Sequence, residues 1–513
     1  MLEELEQSIR ESLSQYGTVD PEAPFANPSE HLELHLMRVR LWVMRHMRLY
    51  ADRLFKADGT YSDRCVGPQE FARLMGFEPD RTDGDEWLDG LGVPTLDRIE
   101  GYLTQLESGM QGRLEATIRI NRVGRLPAEA VRQGFGLRSE AFDLLMAAAG
   151  PRLSTDLSRL CAVAWCDYSV RQPTAGFIAE LVAGTAPERT RELLGQLTRR
   201  SPLVEASLVE LAENPRWQPH TPRLHALVVV PQRILDHLSG VGLHEAEVDG
   251  AVLHNSALPP GETVIPRSLF TAVQAGLESP RARVCLIGSS GSGRCTVVRS
   301  IAATHDLRVM EVDLGQALAG KPAHAVMETV HDLLREARLL RAVLFLNLDQ
   351  FNFDEVGRQM GGRIANLGTA LAAYQGPIFV ATRDLNHNLH RLLDNLVEVR
   401  VEPPDIEGQQ LLWRMALRGV TTPQRSASLS NQLAISYRLP AGIVFRSVQT
   451  AQAYALADHN AKTGAPATSD TPPTIEPDHL LKAIRQQLDH QLGSLADPVA
   501  VQMTLGQVVL GED

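Results

Sequence analysis

A chain of 513 residues, 44% hydrophobic and 22% charged, has the make-up of an ordinary soluble globular protein, with room for three to four cores at about 150 residues each. Its formal net charge of −12 argues against broad electrostatic attraction to nucleic acid or to acidic membranes. The five cysteines (Cys65, Cys161, Cys166, Cys285, Cys295) form no C-x-x-C pair, so reduced thiols in a cytoplasm are expected. No apolar run approaches the ~18–20 residues of a membrane span, and the acidic start MLEELEQSIRE is not a signal peptide.

In chain order, residues 1–17 read as an acidic amphipathic helix and TVDPEAPFANPSE (18–30) as a Pro-rich linker ending in an N-cap at Ser29. From His31 to about Ala51 the pattern is strongly helical, with Leu34, Val39, Leu41, Met44 and Leu49 apolar. Arg38, Arg40, Arg45 and Arg48 are expected mostly to face water. His31 and His35 have the spacing of a zinc protease pair, but the protease pattern is H-E-x-x-H and Glu33 falls one position too late. An exposed histidine pair without metal is therefore expected.

Short helices and loops, including the acidic turn FEPDRTDGDEW, lead to about residue 130. FGLRSEAFDLLMAAAG, LSTDLSRLCAVAWCD, SVRQPTAGFIAELV and SPLVEASLVELAE then read as helices, with Cys161 and Cys166 as core residues. The strip RLHALVVVP (223–231) is β-like, and short helices followed by such a strip suit a winged helix. Residues 135–230 are not notably basic, so this winged helix is expected to dock protein rather than DNA. Residues 231–278 read as a mixed connection with one helix, PQRILDHLSG. From 281 the texture changes: RVCLI, LRVMEVDL, AVLFLNLD, PIFVATRD and LVEVRVEPP alternate with helices, the pattern of a parallel sheet covered on both faces. After Pro403-Pro404 the chain reads as helical to about 493, interrupted by the polar loop TGAPATSDTPPT, and ends in a linker.

Between RVCLI and a helix lies GSSGSGRCT (288–296). Gly288, Gly291 and Gly293 sit where a phosphate-cradling P-loop, G-x-x-x-x-G-K-[S/T], needs them, and the flanking strand and helix are in the right order. The nucleotide-contacting set would be Gly288, Ser289, Gly291, Ser292, Gly293, Arg294, Cys295 and Thr296. Arg294 stands at the lysine position and is not its equivalent. Cys295 replaces the hydroxyl that would hold magnesium, and a thiol is a poor ligand for a hard cation. Thr296 cannot take over, since one residue along a helix turns the side chain by ~100°. At the end of the acidic strand the expected carboxylate pair is replaced by Asn347 and Leu348, with Asp349 two residues after Asn347. Arg383 stands where a polar sensor residue is expected, and in the lid Arg438 and Arg446 lie near but off the arginine position. No catalytic residue is assigned beyond Asn347, Asp349 and Arg383 as occupants of those places, and no metal ligand is assigned. ATP or ADP could bind weakly, with magnesium poorly held. Phosphoryl transfer depends on positioning and charge stabilisation, so altering every component together points to a site without hydrolysis.

The order of strands and P-loop, the helical lid and its Ala441-Gly442-Ile443 turn resemble the AAA ATPase fold. More narrowly, FGLRSEAFDLLMAAAGPRLSTDLSRL with Gln172-Pro173-Thr174, then RLHALVVVPQRILDHLSG, GSSGSGRCT and VMEVDL, resemble AAA ATPases encoded with contractile injection systems, whose first AAA domain often carries Arg at the P-loop lysine. The resemblance covers roughly residues 31–513. The stretch LLKAIRQQLDHQLGSLADPVAVQMTLGQVVLGED is similar to the junction with that family's second, active AAA domain. This implies either a shortened paralogue or the N-terminal part of a larger ATPase.

The expected architecture is multidomain α plus α/β. It comprises a helical region (1–130), a winged-helix-like domain (131–232), a connector (233–278), a degenerate AAA P-loop core (279–404), a helical lid (405–493) and a C-terminal linker (494–513). The leading expectation is a non-catalytic scaffold or regulator in assembly of a phage-tail-like apparatus, as a homo- or hetero-oligomer with AAA subunits or injection-system components. An active AAA remodelling motor using Arg294 and Asp349, and a winged-helix nucleic-acid binder oligomerised by its AAA fold, remain the alternatives.

Overall fold

The computed structural model describes residues 22–51, 88–89, 93–120, 126–165, 172–217, 220–242, 245–255, 263–279, 281–353, 364–384, 387–393, 395–463 and 475–492. The expected first helix (1–17), the acidic turn at 77–87, Cys65, Cys166, most of the polar lid loop and the C-terminal linker lie outside them. The chain forms two compact units, Met1–Val248 with Met327–Ala342, and Asp249–Val326 with Val343–Asp513. No described helix is long and apolar enough to cross a membrane.

The first unit is helical. α1 (Pro28–Leu49) has its N-cap two residues before the expected one, at Asn27 and not Ser29: the Asn27 side chain accepts from Glu30 N at 2.8 Å. Pro28 then occupies the first turn, where its missing N–H costs nothing. α2 (Leu96–Arg119), α3 (Pro127–Gly134), α4 (Ser139–Leu153), α5 (Thr155–Ala164) and α6 (Ala175–Ala183) follow. Val39, Leu41 and Trp42 of α1, Ile99 and Leu103 of α2, and Leu144 and Leu145 of α4 share one core. Each such side chain contributes roughly 1.5–3 kcal/mol on burial. Cys161 is buried in a neighbouring cluster with Val43 and Phe177.

Two expectations for α1 are overturned. His31 and His35 are buried, 2% and 4% exposed, because α1 is enclosed on that side by Phe25 and Phe142, whose rings meet the imidazoles edge-on. The arginines do not line a water-facing stripe. Arg38 pairs with Asp143, Arg45 is buried and donates to Leu181 O at 2.9 Å, and Arg48 donates to Pro94 O at 3.0 Å. Gly184 makes room for Arg45. It ends α6 with φ +60°, and a Cβ there would lie 2.3 Å from the guanidinium carbon.

After α7 (Thr190–Gly195) comes a further departure from expectation. SPLVEASLVELAE is not one helix: α8 (Pro202–Glu205) is a single turn, Ser207 reverses the chain at φ +51°, and β1 (Glu210–Ala212) follows. β1 pairs antiparallel with β2 (Leu227–Val229), the strand expected in RLHALVVVP. Leu208 and Val209 enter the core at the reversal, so tertiary burial and strand pairing outweigh helix propensity there. α9 (Gln232–Leu238) is the expected PQRILDHLSG helix. Its Arg233 is buried and reaches Glu336 in the 327–342 segment of the same unit, with Nε 3.0–3.1 Å from both carboxylate oxygens.

The second unit is built on six strands: β3 (Ala251–His254), β4 (Arg283–Ile287), β5 (Arg308–Asp313), β6 (Ala342–Asn347), β7 (Ile378–Thr382) and β8 (Leu396–Arg400), ordered β3-β5-β6-β7-β4-β8. β4 pairs parallel with β7 and β8, and β6 with β7. The "mixed connection" hides an element: β3 lies antiparallel on β5, so the sheet is mostly rather than wholly parallel. α10 (Arg267–Glu278) and α11 (Arg294–Thr304) cover the sheet through Val273, Val298 and Ile301 against Leu286, Phe345 and Phe379. Among the described residues, α12 (Leu314–Leu318), α14 (Ile364–Ala373) and α15 (His387–Leu392) precede the lid of α16 (Ile406–Ala416), α17 (Pro423–Ser436), α18 (Ala441–Thr463) and α19 (Pro477–Leu492), while α13 (Ala323–Leu339) belongs from Met327 onward to the first unit. The lid has its own core around Trp413, Leu433, Val444 and Ile484.

Candidate functional site

β4 is buried along its whole length, and the chain leaves it directly into the glycine-rich loop. Gly291 and Gly293 hold φ of +82° and +89°, conformations that L side chains rarely adopt. Gly293 is the N-cap of α11 and has no side chain to cap it, so the first-turn N–H groups face outward at the positive end of the helix. This backbone fits the phosphate cradle expected at 288–296.

The Arg294 and Cys295 side chains are committed elsewhere. Arg294 Nη1 and Nη2 donate to Asp349 Oδ1 and Oδ2 at 2.9 and 2.5 Å, and both side chains are 7% exposed. Arg383, more than half exposed, adds a second positive charge 3.8 Å from Asp349 Oδ2. Asn347 Oδ1 accepts from Asp349 N at 3.1 Å, which shapes the turn after β6. The structure thus draws Arg294, Asn347, Asp349 and Arg383 into one cluster in which Arg294 engages both oxygens of the Asp349 carboxylate.

Cys295 turns the other way, towards the sheet edge. Its Sγ donates to Glu311 Oε2 at 3.1 Å, and His254 Nε2 lies 2.9 Å from the same oxygen. Hydrogen bonding from His254, aided by Cys295, holds the Glu311 carboxyl below the usual carboxylate range against the effect of burial. Burial first, and the Glu311 charge second, push the Cys295 thiol well above its ordinary value. A protonated thiol aimed at a carboxylate is no ligand for magnesium, and Asp349 is engaged by arginine. Magnesium therefore does not fit these residues.

Beside the loop lies a cavity of about 220 Å³ lined by Ser292, Thr296, Glu402, Pro404, Ala441 and Phe445 among others. Ligand pockets usually hold about 300–1,000 Å³, so this one is narrow for a nucleotide. The lid closes it. Gly442 N donates to Gly291 O at 2.7 Å, and a Cβ on Gly442 would meet Gly291 Cα at 2.9 Å. Arg446, one turn beyond Gly442, brings Nη2 to within about 3.0 Å of where a Cβ on Gly291 would stand. The i, i+4 spacing from Gly442 is the sequence signal for that approach. Arg438 turns instead to Pro403 O at 3.0 Å.

Residues 284–394 match the family model described as ATPase family associated with various cellular activities (AAA). The second unit carries an AAA ATPase-fold domain. Residues 15–250 match a winged helix domain, variant. Among solved structures, the AAA domain of FIGL-1 in complex with ADP is 15% identical, over 48% of this chain and 92% of that one, at a TM-score of 0.36. A structure describing the basis of katanin self-assembly is 14% identical, over 45% of this chain and 87% of that one, also at 0.36. No curated protein matches the chain in sequence.

Proposed function

We propose that the chain is a pseudo-ATPase, an AAA-fold protein that does not hydrolyse nucleotide and serves as a cytoplasmic scaffold or regulator in assembling a contractile, phage-tail-like apparatus. The Arg294–Asp349 pair carries the non-catalytic part of this reading. A P-loop cation has to reach the phosphates, and a strand-end carboxylate has to face magnesium; here each neutralises the other. Removing one partner from a buried pair typically costs about 3–5 kcal/mol, so a nucleotide recruiting Arg294 would work against a comparable deficit. The backbone cradle and Arg446 leave weak, metal-independent binding of ATP or ADP open to the protein. The assembly role is supported by the resemblance of residues 31–513 to AAA proteins encoded with contractile injection systems. Its partners would be AAA subunits, of its own kind or intact, or components of that apparatus.

Calorimetric titration of the full chain with ATP and ADP, with and without magnesium, tests the site. The expected result is weak binding, or none, unchanged by magnesium, with no phosphate release above background. Turnover abolished by Asp349→Ala would overturn the reading in favour of a remodelling motor. Co-migration with an intact AAA partner, without hydrolysis by this chain, would support the scaffold role.

A further inference from the structure

His254, Cys295 and Glu311 come from three separate elements and place Nε2, Sγ and a carboxylate oxygen within 4.8 Å of one another. In the antiparallel register Val252 stands opposite Glu311, so His254, two residues along β3, is the diagonal neighbour on the same face. Cys295 descends onto that pair from the first turn of α11. The three are 57 and 16 residues from one another by way of Glu311, and all are half-buried. We propose that this cluster is a transition-metal site of the zinc type, with Nε2, Sγ and the carboxylate as three ligands and a fourth position open to water or a substrate group.

The donor set selects the ion. Imidazole, thiolate and carboxylate together suit tetrahedral Zn²⁺ at about 2.0–2.3 Å, whereas magnesium prefers six oxygen ligands. Without metal, Glu311 Oε2 lies 2.9 Å from His254 Nε2 and 3.1 Å from Cys295 Sγ, so the three converge with little room to spare. Metal entry requires them to part by a few tenths of an ångström. On binding, the S–H bond breaks and an S–Zn bond forms, the proton passing to buffer with no change of oxidation state. The ion would tie the edge strand to the first turn of the P-loop helix. The site stands independently of the nucleotide reading, since Arg294 and Asp349 take no part in it.

The test is a titration of the chelator-treated full chain with Co²⁺, without nucleotide. One equivalent is expected to produce a thiolate-to-cobalt charge-transfer band and the visible bands of tetrahedral cobalt, all displaced by Zn²⁺. Cys295→Ser should lose the charge-transfer band, and His254→Ala should weaken binding by at least about tenfold, the scale seen even for outer-shell changes. In the unmodified protein, stoichiometric Zn²⁺ should protect Cys295 from alkylation, mapped by mass spectrometry, so that the test survives a variant that fails to fold. The absence of a one-equivalent band, its persistence in a folded Cys295→Ser variant, or alkylation of Cys295 unaffected by Zn²⁺ would each overturn the proposal.

Discussion

Arg294 and Asp349, 55 residues apart, meet through two parallel hydrogen bonds of 2.9 and 2.5 Å, so the P-loop cation answers a carboxylate of its own chain. Asp349→Asn removes that charge and leaves Arg294 buried and half-paired. Stability should fall by about 3–5 kcal/mol in denaturant unfolding. Calorimetry should show nucleotide affinity rising, because the guanidinium is released. Unchanged affinity in the folded variant would mean that the pair does not mask the site. Arg294→Lys should not restore hydrolysis in a phosphate-release assay, since Cys295 still faces Glu311.

The lid–loop contact should respond to a single methyl group. Gly442→Ala improves helix propensity by about 1 kcal/mol at most. It also drives a Cβ to 2.9 Å from Gly291 backbone, and overpacking of this kind costs about 1–3 kcal/mol. The steric cost wins, so the melting temperature should fall and limited proteolysis between β8 and α18 should quicken.

Buried histidines make the first unit acid-sensitive. Burial, with Arg38 and Arg113 adding to it, lowers the His31 pKa to about 4, and burial holds His35 well below its ordinary 6.5. The unfolded chain binds these protons first. The stability that neutral imidazoles permit is complete above about pH 6.5 and is lost as pH falls towards 4, at roughly 1.4 kcal/mol per pH unit for each histidine. Asp143, whose pKa burial raises, works in the opposite direction at the acid end. Denaturant unfolding between pH 7 and pH 4, followed by tryptophan fluorescence, should show this loss, and His31→Gln with His35→Gln should flatten it.

Glu336→Gln should destabilise the first unit by about 3–5 kcal/mol, because Arg233 is 7% exposed and would keep its charge without a full counter-charge. Glu336→Gln combined with Arg233→Met should recover much of that loss, since buried pairs replaced by apolar side chains of similar size are often neutral. A thermal-unfolding double-mutant cycle measures the coupling.

What could be read from the residues alone is what local chemistry determines. The apolar runs RVCLI, AVLFLN and IFVAT mark strands buried on both faces, because a covered parallel strand has no polar side. The glycine spacing at 288–293 announces a loop needing positive φ, and the lid follows from helical periodicity. The substitutions Arg294, Cys295 and Asn347 were equally visible, since a motif is judged position by position. Direction of approach was not. The exposed face assigned to α1 became a buried one because Phe25, Phe142 and Asp143 reach it from elsewhere in the chain. SLVELAE left its helix to pair with a strand that starts fourteen residues beyond its end. His254, Cys295 and Glu311 meet only through an antiparallel edge register and a helix laid over it, and nothing in their spacing states that register. Short-range preferences select elements, whereas pairing and burial between distant segments decide which side chains face each other.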